Sequence, residues 1–488
     1  MTRLLSFSAR LAELAASRPS SKAVTCGDQS LSYADLHRRS NRLARGLRAL
    51  GVGQGDLVTI GLPNSVGFVE ACWGIWKLGA TPQPVSFRLP AGELANIVNL
   101  ANPPLIIGDF TGLEKRPVVG LEEIEANSDG DSDLEKDLTA PILKAPTSGG
   151  STGSPKLILS GKPAVVPEEP ESEWGWEMSS ETTALIPAPL YHNAGFGMMY
   201  TAINRGAHLV LTPRFDPELT LAEIERTRAT WIYLVPTMMN RIWQLPSEIR
   251  NNYDLTCLKS LWHLAAPCPA WLKLEFINWL GPEVVMELYG GTEGQATAMI
   301  SGIEWLSHRG SVGRAVSGQF CIIGDDSKPL ESGQTGEVYM RRNAGDPPTY
   351  HYRGAEARTL PGGWESLGDM GWMDEEGYLY LADRRADIIL VGGANVYPAE
   401  VEAALDRYKG VLSSAVIGLP DADLGEAVHA IVQALPGVSV DSLMTFLKDQ
   451  LVSYKLPKSI KFVDTPLRDE AGKLRRSSLR DELLEKSA

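Results

Sequence analysis

Apolar positions along this chain recur first at helical and then at strand spacing, and the two patterns alternate for most of its length. Leu36, Leu43, Leu47 and Leu50 fall on one face of a helix over 33–50, with Ser32 as its N-cap and Gly51 as its stop. A short strand follows at 57–62, an apolar helix at 66–78 and a strand near Thr81. Further strands are expected at 105–108, 184–187, 208–211, 231–235, 258–264 and 284–288, with helical patterns such as 219–228 and 270–280 between them. A parallel connection needs a crossover element, so this alternation predicts an α/β fold of parallel sheets covered by helices. From about Gly318 the pattern changes to turn-linked strands at 319–323 and 337–341, a β-rich subdomain over about 310–385. After the charged run 383–387 the remaining chain reads as a compact α+β unit. Its helices are expected at 398–407 and 440–451, its strands near 414–418 and 427–433. The acidic stretch 122–137 reads as a solvated surface segment.

A chain of 488 residues is too long for one ordinary core, which agrees with a large N-terminal domain over 1–385 and a small C-terminal domain over 386–488. The formal net charge of −14 argues against a nucleic-acid or anionic-membrane partner, because either would repel the protein as a whole. Five scattered cysteines with no CxxC pair suggest reduced thiols and a cytoplasmic setting. The histidines show no metal-like spacing, and neither a signal peptide nor a membrane span is read.

Candidate chemistry begins at 148–156, where Ser148, Gly149, Gly150, Ser151, Thr152, Gly153 and Ser154 precede Pro155 and Lys156. Glycines bring backbone N–H groups close to an anion, hydroxyls donate to phosphate oxygens, and lysine adds a point charge. This is not a Walker A loop, whose lysine opens a helix, because the residue before Pro155 is pushed out of helical geometry. At 288–294, Tyr289, Gly290, Gly291, Thr292 and Glu293 end an expected strand in a Gly-rich turn. A carboxylate beside a hydroxyl there suits Mg²⁺ and phosphate. Asp369, and Arg384 after Asp383, add another carboxylate and a guanidinium.

Taken together, in order and spacing, these segments resemble the adenylate-forming superfamily of acyl-CoA synthetases, luciferases and peptide-synthetase adenylation domains. Two further stretches extend the likeness over nearly the whole chain: 383–402, with Gly392 and Gly393, and 472–476, which opens Gly472-Lys473. The resemblance implies roles. Ser148, Gly149, Gly150, Ser151, Thr152, Gly153 and Lys156 would handle the β- and γ-phosphates of ATP. Thr292 would contact the α-phosphate and Glu293 the Mg²⁺. Tyr289, Gly290 and Gly291 would border adenine, with Ala265, Ala266 and Pro267 as another wall. Asp369 and Arg384 would hold the ribose, and Lys473 would bridge the acid carboxylate and the α-phosphate. The small domain would be mobile, bringing either Lys473 or the Gly392–Gly393 loop to the site. At its pivot, usually Asp or Lys, this chain has Ala386.

The segment 189–196 resembles the family stretch over the acyl pocket, which makes His192 a gate for the acid. Trp231 and Tyr233 are expected to line the same pocket. Bulky apolar residues with no evident charge imply a hydrophobic, aryl or cyclic acid, as in ligases for bulky ring acids. The family implies CoA as acceptor, with an amine, as in coronafacic acid ligases, or a carrier protein as alternatives, and a homodimer is compatible with it. A non-catalytic nucleotide-binding protein on this fold would show erosion at Lys473, Glu293 or Asp369, and all three are present. Kinase signatures are missing.

Overall fold

The apolar runs of the N-terminal half assemble into one parallel sheet. Across it lie Lys22–Cys26, His208–Leu211, Thr183–Ile186, Trp231–Leu234, Ser260–His263 and Val285–Gly290, each parallel to its neighbour. Nearly every residue of the first five is buried, the signature of a parallel sheet covered on both faces. The architecture is a computed structural model, and it describes residues 3–113, 116–149, 155–168, 176–421, 423–469 and 472–485.

A second parallel sheet orders Thr81–Pro84, Leu57–Gly61, Ile106–Gly108 and Val118–Val119. Helix Val66–Lys77, buried almost all round, packs against strands of both sheets. Tyr33–Ala49 starts where the sequence places it: Ser32 accepts from the Asp35 N–H while the Asp35 carboxylate accepts from the Ser32 N–H. The helix stops before Gly51, whose φ of +93° an L side chain resists.

The acidic stretch is more than solvated surface. It opens as the helix Leu121–Ala126, and its later carboxylates then line the basic face of Tyr33–Ala49. Asp129 pairs with Arg45 at 3.1 Å, Asp131 with Arg38 at 3.4 Å, Asp133 with His37 at 2.6 Å and Glu135 with Arg48 at 3.2 Å. Exposed pairs of this kind are individually weak. Their shared direction fixes the segment's path along the helix.

The β-rich strands do not stand apart from the main sheet. Thr297–Ser301 folds back antiparallel on Val285–Gly290, and Ser311–Ser317 follows it. Leu379–Arg384, Trp364–Met373, Gly336–Arg341 and Gln319–Ile323 then continue the sheet to 14 strands. They gather a small core of their own around Val338, Met340 and Leu379. Beyond Asp387 the chain builds a separate five-stranded sheet. Its central pair, Val411–Asp421 and Gly425–Ala434, runs well past the apolar patches that announced it, because the hydrogen-bonded ladder extends through polar ends. Val396, Val401, Leu405, Val416 and Leu443 form the core of this unit. No helix among the described residues is long and apolar enough to cross a membrane.

One glycine secures the junction of the parallel sheet with its antiparallel extension. Gly313 has φ +100°, and a Cβ there would lie 1.9 Å from the Met299 carbonyl oxygen. Gly313→Ala is expected to lower the unfolding free energy by roughly 2 kcal/mol or more, from the left-handed backbone and the overlap together. Chemical denaturation monitored by circular dichroism checks this.

Candidate active site

Parallel strands end at a common edge, and the loops that leave this edge build the site. Trp231–Leu234 leads into Val235 and Thr237, Ser260–His263 into the 264–269 loop, and Val285–Gly290 into the 291–294 turn. Tyr289 and Gly290 are the last residues of their strand, which is longer than its apolar pattern predicts. Ala265 stands at φ +75°, an unusual backbone for a non-glycine residue, and Ala266 and Pro267 follow it on the loop.

The Gly-rich segment enters and leaves as an antiparallel hairpin. Thr147–Gly149 pairs with Pro155–Ser160, with Ser148 opposite Lys156 and Gly149 opposite Pro155. Strand, not helix, follows the loop, so the Walker A alternative is excluded by geometry as well as by Pro155. Gly150, Ser151, Thr152 and Gly153 lie outside the described residues. The hairpin's base is anchored by a buried relay that carries no sequence signature. The Thr59 hydroxyl donates to Gln83 at 2.7 Å, and the Gln83 amide donates to Thr147 at 2.9 Å.

Beside the hairpin, Lys156 and Glu293 come together. Their charged atoms lie 3.6 Å apart, and Glu293 is buried. The Tyr352 hydroxyl donates to Glu293 Oε1 at 2.5 Å, and the Lys156 ammonium stands 3.8 Å from the centre of the Tyr352 ring. Burial lowers the Lys156 pKa from the usual lysine range, and Glu293 partly opposes the shift. A Cβ on Gly291 would come within 2.8 Å of Glu293 Oε2. Leu367 stands closer still, at 2.4 Å, so only a glycine lets the turn pass this close to that oxygen, and a buried hard-oxygen ligand of this kind fits Mg²⁺. Thr292 sits next to it on the same turn.

On the other flank, Tyr289 donates its hydroxyl to Asp369 Oδ2 at 2.7 Å, and Arg384 lies 3.3 Å from Asp369 Oδ1. Asp369 and Arg384 are cross-strand partners, which is why residues 15 apart in sequence meet. Burial pushes the Tyr289 pKa well up, so the ring stays a neutral donor.

The third element is the small unit's turn, Gly472-Lys473. Gly472 has φ +75°, and a Cβ there would stand 3.0 Å from Thr237 Oγ1 and 3.5 Å from Val235. Glycine is therefore the residue that lets this turn seat against the large domain. The Asp469 carboxylate closes the turn by accepting from the Lys473 N–H at 2.9 Å. Enclosure by the cleft lowers the Lys473 pKa even though part of its side chain stays open to solvent. Among the charges it feels are Asp469, Arg384 and Glu293. His192, the N-cap of helix Asn193–Asn204, lies within reach of the same lysine. Burial first, and Lys473 second, hold the His192 pKa down to about 3. Its Nε2 is buried with no partner among the described residues.

Several site neighbours escaped the sequence. Lys144 donates to Asn193 at 2.6 Å, a cation next to the 189–196 segment where none was foreseen. Trp231 and Tyr233 are core residues, 1% and 2% exposed. Gly392 and Gly393 are not part of the gathered cluster. They cap the hairpin of Ile389–Val391 and Ala394–Val396, where Gly392 N–H donates to Leu424. A latch brackets Ala386. Asp383 accepts from the Ala399 N–H at 2.7 Å, and Arg476 reaches Asp387 at 2.9 Å and Glu402 at 2.8 Å. Burial holds the Asp383 pKa up to about 6. Only the alternating Tyr350 and Tyr352 could have hinted at a functional strand face.

Comparison with known proteins agrees with this layout. Residues 11–345 match the family model described as AMP-binding enzyme, and residues 400–473 match its C-terminal domain. A feruloyl-CoA synthase from an Amycolatopsis species is 32% identical over 95% of this chain and 96% of its own. Among solved structures, o-succinylbenzoate CoA synthetase (MenE) from Bacillus subtilis, bound to its acyl-adenylate intermediate, superposes with a TM-score of 0.82. It is 25% identical, with 98% of this chain and 99% of that chain covered. The amide bond synthetase McbA from Marinactinospora thermotolerans gives 0.78 at 25% identity, with 98% and 99% covered.

The lowered His192 pKa has a sign. A histidine charges near 6.5 when unfolded and only near 3 here, so its burial costs stability as pH falls below 6.5 and costs nothing above it. His192→Phe is therefore expected to lose less thermal stability than the wild type between pH 8 and pH 5, as read by melting curves at the two pH values.

Proposed function

Because the chain belongs to the AMP-binding enzyme family, we propose that its cleft activates a bulky, hydrophobic or aromatic carboxylic acid. The protein is an AMP-forming acid ligase that uses ATP, Mg²⁺ and CoA. The carboxylate attacks the α-phosphorus of ATP and pyrophosphate leaves. The CoA thiol then takes the acyl group and AMP departs. The convergence of Lys473 from one unit with Glu293, Arg384 and His192 from the other carries this reading.

Each residue has a task in that chemistry. Two anions must meet, the carboxylate and the phosphate, so catalysis rests on positioning and on charges placed before the reaction. Lys473 bridges the attacking carboxylate and the α-phosphate, with Thr292 on the same phosphate. Lys156 and the 148–153 loop hold the β- and γ-phosphates. Asp369, oriented by Tyr289 and Arg384, accepts from the ribose hydroxyls. Ala265, Ala266, Pro267, Gly290 and Gly291 border the adenine. Glu293 would hold Mg²⁺, which when bound neutralises charge on the phosphate oxygens. His192, neutral across the working pH range, shapes the acid's access without adding charge. The domain boundary falls at Ala386, between Asp383 and Asp387, which Arg476 approaches at 4.0 Å and 2.9 Å. The Gly392–Gly393 hairpin serves the second half-reaction.

The aromatic surroundings of the gate support a ring-bearing acid. Tyr191 packs on His192 at 4.5 Å and on Phe87 at 6.3 Å. The feruloyl and o-succinylbenzoate names of two similar proteins point the same way. An amine as acceptor is the second reading, favoured by the similarity to an amide bond synthetase and by Ala386 at the pivot.

Two outcomes are expected. Lys473→Ala should lower acid-dependent pyrophosphate release by a factor of roughly 10²–10³ while ATP binding persists, read by a coupled phosphate assay and by calorimetry. A normal rate would refute the lysine's role, and ADP in place of AMP would refute the mechanism. Gly472→Ala should slow the same step by about tenfold or more, because the added Cβ lifts the turn off Thr237. Mass spectrometry over a panel of aryl and aliphatic acids, with CoA or simple amines, identifies acid and acceptor.

A further inference from the structure

Tyr350 and Tyr352 lie two apart on the strand Tyr350–Arg353, so their rings share one face. The strand is hydrogen-bonded to Pro155–Ser160, which carries Lys156. Each tyrosine donates to a different carboxylate: Tyr352 to Glu293 at 2.5 Å and Tyr350 to Glu365 at 2.5 Å. Glu365 also accepts from the Gln295 amide. One strand face thus holds both ends of the 293–295 turn.

We propose that Tyr352 is the positioning residue of this site, fixing Glu293 for the divalent cation with its hydroxyl and carrying the Lys156 ammonium on its ring. The proposal rests on the metal role of Glu293 and the phosphate role of Lys156 given above. A buried carboxylate oxygen without a donor is costly, and Tyr352 supplies that donor to Oε1. The carboxylate plane is then set, with Oε2 on the Gly291 side of the turn. Hydrogen bonds of this kind orient metal-binding carboxylates, and losing one typically weakens metal binding by about 10- to 100-fold. The ring has a separate task. At 3.8 Å it holds the ammonium by cation–π attraction, 3.6 Å from Oε1. Without the ring, Lys156 is free to close onto Glu293 and compete with the cation for it. Burial and the neighbouring Glu293 push the Tyr352 pKa upward, so the hydroxyl keeps its proton.

The test is a Mg²⁺ titration of the full-length enzyme with a non-hydrolysable ATP analogue, followed by calorimetry without acid or CoA. Tyr352→Phe keeps the ring and loses the hydroxyl. It is expected to raise half-saturating Mg²⁺ about tenfold or more, with melting temperature and analogue affinity at saturating Mg²⁺ close to wild type. Tyr352→Ala should add a weakening of analogue binding that saturating Mg²⁺ does not restore. A Tyr352→Phe half-saturation within twofold of wild type, or below it, overturns the proposal. Glu293→Gln separates the two levels: an unchanged titration there refutes the metal role of Glu293 itself, whatever Tyr352→Phe shows.

Discussion

The close approach of the Gly472 backbone to the side chains of Val235 and Thr237 is the constraint on which the site depends. A side chain at 472 would hold the small unit's turn away, and Lys473 would no longer share a field with Glu293, Arg384 and His192. Around this contact, side chains fix the orientation. Arg475 reaches Glu93 of the large domain at 3.2 Å, and the Trp271 indole donates to the Ala403 carbonyl at 3.3 Å. These contacts are modest one by one, and the close approach at Gly472 gives them a common geometry.

The second organising fact is charge placed against the overall sign of the molecule. The chain carries a net charge of −14, yet Lys156, Arg384 and Lys473 converge on one cleft. Much of the acidity lies elsewhere, for example along 129–135, where carboxylates are spent on the arginines of Tyr33–Ala49. Inside the cleft each carboxylate is oriented by a tyrosine: Asp369 by Tyr289 and Glu293 by Tyr352. A phenol donates a hydrogen bond without adding charge. The carboxylates thus stay acceptors, with their donors supplied by neutral groups.

What the sequence revealed followed the strength of its local signals. The helix Tyr33–Ala49 announced itself with a cap, a leucine stripe and a terminating glycine, and it stands where expected. Asn193–Asn204 did not, because Gly195 and Gly197 lower its propensity and it carries no charged face. Gly195 is there because a Cβ would lie 2.7 Å from the Pro189 carbonyl oxygen, a tertiary reason invisible in one dimension. Residues such as Glu293, Asp369 and Lys473 could be singled out in the sequence because they sit in short, ordered motif segments. Tyr352, Gln83 and Arg476 were not. Each acts on a partner at least 24 residues away, and nothing in its neighbours names that partner.

The seating of Lys473 on the turn that closes the cleft has a kinetic consequence. If Lys473 acts as proposed, microscopic reversibility makes the charge that favours attack on phosphorus favour the return of pyrophosphate equally. Wall and charge are one piece here, so any motion that opens the cleft also withdraws the lysine. Forward and reverse chemistry then stop together, and an acyl-adenylate formed before the opening is left stranded as product. The free energy of pyrophosphate loss and acyl transfer still sets the direction of such a cycle; the moving part, acting as an escapement, sets how long the adenylate lasts between the two steps.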